Sequence, residues 1–276
     1  YGLFNERLRL RTLSISKKYL GLPDVAIDLS NLAELYYEQG DYAKALPLLV
    51  RALALREKAL GKDHPHVAII LNNLALLYKE QGKYAKALPM YVRALALREK
   101  ALGKDHPHVA ISLNNLAEMY REQIDYAKAL PLHERALAIR VMALDKDHPH
   151  VATSLNNLAL LYKEQGKYAK ALPMYVRALA ISEKALGKDH PSVATSLNNL
   201  ALLYCEQGDD KKALPMYVRA LAIWEKALGK DHPYVATSLN NLALLYCEQG
   251  DDKKALPMHV RALAIRVMAL GKDHPD

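Results

Sequence analysis

Apolar residues recur along this chain at helical spacing. Between Pro65 and Gly82, the residues Val67, Leu71, Leu74, Ala75 and Tyr78 fall three and four apart, which predicts an amphipathic helix with one buried stripe. A second helix is predicted over the segment carrying Tyr84, Ala87, Leu88, Tyr91, Ala94, Leu95 and Leu102. Pro65 suits a first turn, where its missing N–H leaves no bond unmade, and Gly82 suits a helix end that needs positive φ. Gly103 and a Lys-Asp-His-Pro linker close the unit. Pro89 falls in the second turn of the second helix, where one lost backbone bond predicts a slight bend. No segment alternates with a period of two, so the chain reads as all-α.

The pattern returns every 42 residues. Asn72-Asn73 recurs as Asn114-Asn115, Asn156-Asn157, Asn198-Asn199 and Asn240-Asn241, and Pro23, Pro65, Pro107, Pro149, Pro191, Pro233 and Pro275 keep the same step. Residues 65–106 and 149–190 differ at only four positions. Six repeats therefore fill residues 23–276 as one domain. Residues 1–22 read as the second helix of a partial repeat, because Arg11-Thr12-Leu13 matches Arg51-Ala52-Leu53. One helix pair cannot bury its apolar faces alone, so successive pairs must stack. Alanines such as Ala75, Ala87 and Ala94 let the axes approach to roughly 8–10 Å. The expected product is a solenoid whose first helices line a concave surface.

Composition narrows the class. Of the 276 residues, 51% are hydrophobic and 25% charged, too apolar for a disordered chain. No apolar run reaches the roughly 18–20 residues of a membrane span, and the first residues show no signal-peptide pattern. The chain opens on Tyr1 rather than Met, so it is expected to be a piece of a longer polypeptide. Two cysteines, Cys205 and Cys247, exclude a disulfide framework and fit a reducing, cytoplasmic compartment. Their equivalent positions in adjacent repeats predict Cα atoms roughly 8–10 Å apart. That is beyond the reach of about 7 Å for a disulfide, so both are expected as free thiols. The net charge of +8 is compatible with acidic partners. It is uneven, with five basic against six acidic residues in 107–148, and the predicted groove lacks aromatics for base stacking. Nucleic acid is therefore disfavoured.

The residues Leu71, Leu74, Ala75, Tyr78, Gly82, Tyr84, Ala87, Tyr91 and Ala94 resemble the tetratricopeptide repeat. The usual unit has about 34 residues. The longer one here carries Leu-Asn-Asn-Leu-Ala, Gln-Gly-Lys-Tyr, Arg-Ala-Leu and Gly-Lys-Asp-His-Pro, and is similar to the kinesin light chain type. The resemblance implies a right-handed superhelix of antiparallel helix pairs that binds a protein or peptide. Its setting would be an adaptor of the kinesin light chain type, or a sensor or scaffold region of a larger protein.

Opposite the core stripe of the first helix, Ile69, Asn72, Leu76 and Lys79 share one line, with Asn73 and Glu80 beside it. The line becomes Thr153, Asn156, Leu160 and Lys163, then Thr195, Asn198, Leu202 and Cys205, then Thr237, Asn240, Leu244 and Cys247. Asn offers a donor and an acceptor, the two groups an extended peptide backbone needs. The resemblance implies that the second Asn of each pair, at Asn31, Asn73, Asn115, Asn157, Asn199 and Asn241, clasps a ligand's main chain. Asn72, Asn114, Asn156, Asn198 and Asn240 join the same candidate site. The alternative is that these asparagines only bridge neighbouring repeats. Leu76, Leu160 and Leu202 either pack on the next helix or line a ligand pocket. Lys79, Arg121 and Lys163 repeat a cation in one register, which favours an acidic and apolar peptide. The carboxylate clamp of chaperone-adaptor relatives is absent, since its positions hold Ile69 or Thr153, Asn72 and Leu76.

Other constellations are read as architecture. His64, His106, His148, His190, His232 and His274 precede prolines, and His66, His108 and His150 follow them. Equivalent residues lie a repeat apart, while zinc needs four ligands near 2 Å, so helix-start roles are expected and no metal or cofactor. No catalytic set stands apart from the repeat, and a non-enzymatic module is expected. Repeat 107–148 departs most. Ile124 replaces the turn glycine, which costs about 1 kcal/mol if that backbone needs positive φ. Asp145 replaces the other glycine, His133 stands for Tyr91 and Glu118 for Leu76. A competing reading is a structural spacer that associates end to end through uncapped terminal repeats.

Overall fold

The computed structural model describes residues 21–270; the partial repeat expected before residue 21 and the terminal Pro275 lie outside them. Twelve helices and no strands occur among the described residues. They are α1 (Leu22–Glu38), α2 (Tyr42–Leu60), α3 (Pro65–Glu80), α4 (Tyr84–Leu102), α5 (Pro107–Glu122), α6 (Tyr126–Ala143), α7 (Pro149–Glu164), α8 (Tyr168–Leu186), α9 (Pro191–Glu206), α10 (Asp210–Leu228), α11 (Pro233–Glu248) and α12 (Asp252–Leu270). No described helix is long and apolar enough to cross a membrane. The chain divides into two compact units, Tyr1–Ile139 and Arg140–Asp276. In the first, α1 packs on α2 and α3 on α4, while α2 meets α3, α4 meets α5 and α3 touches α5. In the second, the pairs are α7 with α8, α9 with α10 and α11 with α12, joined through α8 to α9 and α10 to α11. First helices touch there too, α7 with α9 and α9 with α11.

The helix starts explain the recurring histidines. Each Pro occupies the first turn, and the preceding His is the N-cap. The Nδ1 of His64 accepts the backbone N–H of His66 at 3.2 Å, and His106 and His148 accept those of His108 and His150 at 3.1 Å. His190 and His232 do the same for Ser192 and Tyr234. Second helices start differently. The side chains of Asp41, Asp125, Asp209 and Asp251 accept the N–H three residues on, at 3.1–3.3 Å. Lys83 and Lys167 hold this place in two repeats and supply no such bond. Despite Pro89, α4 runs unbroken from Tyr84 to Leu102.

Alanines make the close approaches: Ala75, Ala87 and Ala94, and Ala201, Ala213 and Ala220, are fully buried. Tyr91, Tyr175 and Tyr217 fill the space between helices. Polar ties then fix each pair against the one before. Arg93 pairs with Glu57 at 2.7 Å and donates to the Lys62 carbonyl at 2.9 Å. Arg135 with Glu99, Arg219 with Glu183 and Arg261 with Glu225 repeat the pairing at 2.6 Å. A second tie is buried. Arg98 donates to the His108 carbonyl at 3.1 Å and to Ser112 Oγ at 2.8 Å, and Arg140 does so to His150 and Ser154. Burial brings the Arg140 guanidinium down to about 10. Trp224 takes the equivalent place later, stacked on Tyr234 with ring centroids 5.5 Å apart.

Ile124 adopts φ 61°, beside values of 68° and 71° for Gly82 and Gly166 at the same turn. A Cβ placed on Gly82 or Gly166 would meet nothing within 4 Å, so the cost at Ile124 is conformational rather than steric. At the other replaced glycine the chain reorganises. The helix α6 ends at Ala143, and the Asp145 carboxylate accepts the Asp147 N–H at 2.9 Å.

Ile124→Gly should therefore stabilise the protein by about 1 kcal/mol in urea unfolding, with an unchanged helical spectrum. Lys83→Asp should add about 1 kcal/mol by restoring the missing cap, and a neutral or destabilising result would refute the cap assignment.

Candidate functional site

The exposed line of the first helices is rotated from the one its spacing indicates. Asn72 is buried, donating to the Ala68 carbonyl at 2.8 Å and to Ser112 Oγ at 3.5 Å. Its Oδ1 accepts from Asn115 Nδ2 at 3.4 Å. In the second unit Asn198 is buried and accepts from Asn241 Nδ2 at 3.0 Å, while Asn156 donates to Ser196 Oγ at 2.9 Å. Asn114 is buried as well, its Oδ1 3.1 Å from His133 Nδ1. Asn156 and Asn240 are half-buried. Asn72, Asn156 and Asn198 thus tie adjacent first helices together, whereas Asn114 turns to its own second helix. The second is placed differently: Asn31 is exposed, and Asn73, Asn115, Asn157, Asn199 and Asn241 are half-buried. Asn115 and Asn241 each give one N–H to the lateral bond, and an amide has a second N–H and a carbonyl to offer.

The cation register is met inside the chain. Lys79 Nζ lies 2.7 Å from Glu122 and 3.2 Å from Glu80, and Lys163 Nζ lies 2.8 Å from Glu206. These side chains are only 13% and 9% exposed. Burial pulls Lys79 down, but Glu122 and Glu80 outweigh it and hold the ammonium above its ordinary value. Arg121 Nε lies 2.8 Å from Glu118. The charges that favoured an acidic ligand at Lys79, Arg121 and Lys163 already have carboxylate partners.

Four cavities open along the first helices. Leu76 and Asn73 line one of about 180 Å³, and Leu202, Leu244 and Asn241 line one of about 170 Å³. Asn31, Asn73, Ile69, Arg56 and His66 bound a third of about 420 Å³. Arg98, Leu102, Ile69, Ile111 and His108 bound a fourth of about 430 Å³. Leu160 is half-buried. The carboxylates lining the first two cavities, Glu34, Glu38, Glu206 and Glu248, were not singled out by sequence. Their signal was a shared register with Leu76 or Glu80, visible once the repeats are superposed.

The departures of repeat 107–148 prove to be coupled. His133 is fully buried, with Nε2 3.3 Å from Glu118 Oε1. Burial pushes the Glu118 carboxyl up, but the close approach of His133 and the Arg121 charge together hold it below its ordinary value. Among the thiols, Cys205 is half-buried and Cys247 exposed. Burial pushes the Cys205 thiol up, and its hydrogen bond with Tyr217 only partly offsets this.

Two measurements follow from these environments. A carboxyl held low when folded stabilises fully above its unfolded value and loses that contribution as pH falls through the folded one. Unfolding midpoints of Glu118→Leu/His133→Tyr should thus fall less than the parent's between about pH 6 and about pH 3. With maleimide at neutral pH, Cys247 should react before Cys205, as followed by mass spectrometry in the two Cys→Ser variants.

Comparison with known proteins agrees with this architecture. The tetratricopeptide repeat profile matches residues 24–100, 67–140, 108–184, 150–226 and 193–266. No curated protein matches the chain. Among solved structures, BtubC (BKLC) from P. vanneervenii is 28% identical, covering 87% of this chain and 93% of its own, with a TM-score of 0.64. A kinesin light chain-like protein of nearly identical TPR-like repeats from Podosopora anserina is also 28% identical. It covers 74% of this chain and 97% of its own, with a TM-score of 0.60. The apo form of RapI shares the fold at 15% identity and a TM-score of 0.61, covering 90% of this chain and 99% of its own.

Proposed function

This chain belongs to the tetratricopeptide repeat family, and on that footing we propose that it is a non-enzymatic scaffold whose first-helix face binds an extended peptide segment of a partner protein. The observation that carries this reading is the contrast between buried first asparagines and second asparagines that border cavities. Asn72 and Asn198 are consumed in ties between repeats, whereas Asn73 and Asn241 line cavities with amide groups to spare. A row of such amides at the spacing of the repeat presents alternating donors and acceptors to a peptide main chain. The likeness to kinesin light chain-like repeats supports an adaptor setting.

A second reading rests on α12. Leu256 and Leu263 are 66% and 64% exposed, whereas their equivalents Leu214 and Leu221 are partly buried in the core that includes Leu242 and Leu245 of α11. Leu256 and Leu263 form an apolar face that end-to-end association would cover.

Selection of a random peptide library on the parent and on Asn73→Ala tests the first reading. Enriched peptides should bind the variant at least about tenfold more weakly, the loss of one or two well-formed hydrogen bonds, with an unchanged melting temperature. Equal binding would make Asn73 architectural. Sedimentation tests the second: concentration-dependent oligomers should form and disappear in Leu256→Lys/Leu263→Lys.

A further inference from the structure

The two smaller cavities are the same cavity. Glu34, Tyr37, Glu38, Leu49, Asn73 and Leu76 of the first correspond, 168 residues on, to Leu202, Cys205, Glu206, Tyr217, Asn241 and Leu244 of the second. Each is bounded by one first helix, its own second helix and the next first helix. Their volumes, about 180 and about 170 Å³, agree as well. A void of about 150 Å³ suffices for benzene, so each has room for one Leu, Met or Phe side chain.

What differs between repeats is the residue at the register of Tyr37. In two of the repeats between them it is lysine, and there the ammonium crosses to the next first helix. Lys79 reaches Glu122 from α3 to α5, and Lys163 reaches Glu206 from α7 to α9. With 13% and 9% of the side chain exposed, each butylammonium stem lies in the gap that the cavity occupies elsewhere. At Cys205 and Cys247 the lysine is gone. Glu248, the carboxylate that a lysine at 205 would reach, makes no ion pair among the described residues, and neither do Glu34 and Glu38 at the first cavity.

We infer that the first-helix face carries a recurrent socket for one apolar peptide side chain followed or preceded by Lys or Arg, open between α1 and α3 and between α9 and α11, and filled by the chain's own lysine at Lys79 and Lys163. The inference rests on the peptide-binding reading above. It replaces the acidic ligand favoured by sequence with a basic one. Each open socket has an apolar floor and no cation in its lining, with Glu34 and Glu38 at the first and Glu248 at the second, where Glu206 is already paired with Lys163. A peptide carrying an apolar residue beside a cation would supply the same two elements as Lys163: apolar stem in the gap, positive charge on the glutamate.

The test uses the full chain and a defined peptide set, each with one Leu, Met or Phe flanked by Lys, Arg, Ala or Glu in a Gly-Ser frame. Lys- and Arg-flanked peptides should bind the parent at least fivefold tighter than Glu-flanked ones, with the preference shrinking at high salt. Tyr37→Lys/Cys205→Lys should lose that binding at least fivefold while keeping its melting temperature, because lysine already occupies this register in other repeats. Lys163→Cys, which unplugs a closed position, should raise the number of bound peptides and serves as the control should the double variant unfold. Glu-flanked peptides binding as well or better would overturn the socket. So would unchanged binding by the folded double variant, or no gain in Lys163→Cys. If Asn73→Ala weakens binding while the socket variants do not, the groove stands and the socket falls. If no peptide binds the parent, both fall.

Discussion

One pairing rule recurs among the described repeats: a first-helix side chain must be compatible with the residue just after its own equivalent in the next repeat. Asn72 meets Asn115, Asn198 meets Asn241, Lys79 meets Glu122 and Lys163 meets Glu206, each pair 43 residues apart. A helix pair buries too little apolar surface to stand by itself, so its stability resides in these neighbour contacts. The polar ones add little energy individually when partly exposed, but they fix the offset between pairs. The offset in turn sets which residues flank the gaps between first helices. The gap and the tie are therefore not independent, because both are built from adjacent positions of one helix.

The fold was legible because its signals are local and repeated. The Pro–Gly punctuation marks the helix boundaries wherever both residues are kept, and the alanines mark the close approaches. The free thiols followed from their spacing as well. The histidines before proline were read as helix-start residues, and they are N-caps. The candidate site was harder to read. Helical periodicity places Asn72 and Asn73 on neighbouring lines but cannot say how far a helix is rotated about its axis. A rotation of one position decides which Asn is buried. The charge register needs the neighbouring repeat for a related reason. Lys79 and Lys163 look like a basic ladder until the glutamates one residue further along the next repeat are seen to oppose them.

Repeat 107–148 illustrates what a list of substitutions hides. Glu118 for leucine and His133 for tyrosine each look damaging in a buried seam. Together they face one another, with Arg121 and Asn114 completing a polar set. Ile124 has no such compensation, since its positive φ is shared with glycines that adopt it at no cost. Some departures in a repeat are thus exchanges and others are plain losses, and only geometry separates them.

That polar set has a consequence for how the chain finds its structure. Residues 65–106 and 149–190 are almost the same sequence, so many mis-threaded dockings would be nearly degenerate in energy with the correct one. A nascent chain pairing the wrong neighbours would bury the same alanines and form the same lateral bonds. Glu118 and His133 break that degeneracy for the pairing of α5 with α6. Brought against a leucine or tyrosine seam from any other repeat, each would strand a polar group in the interior. The odd repeat thus labels its own two helices as partners for each other, a label that the near-identical repeats on either side lack.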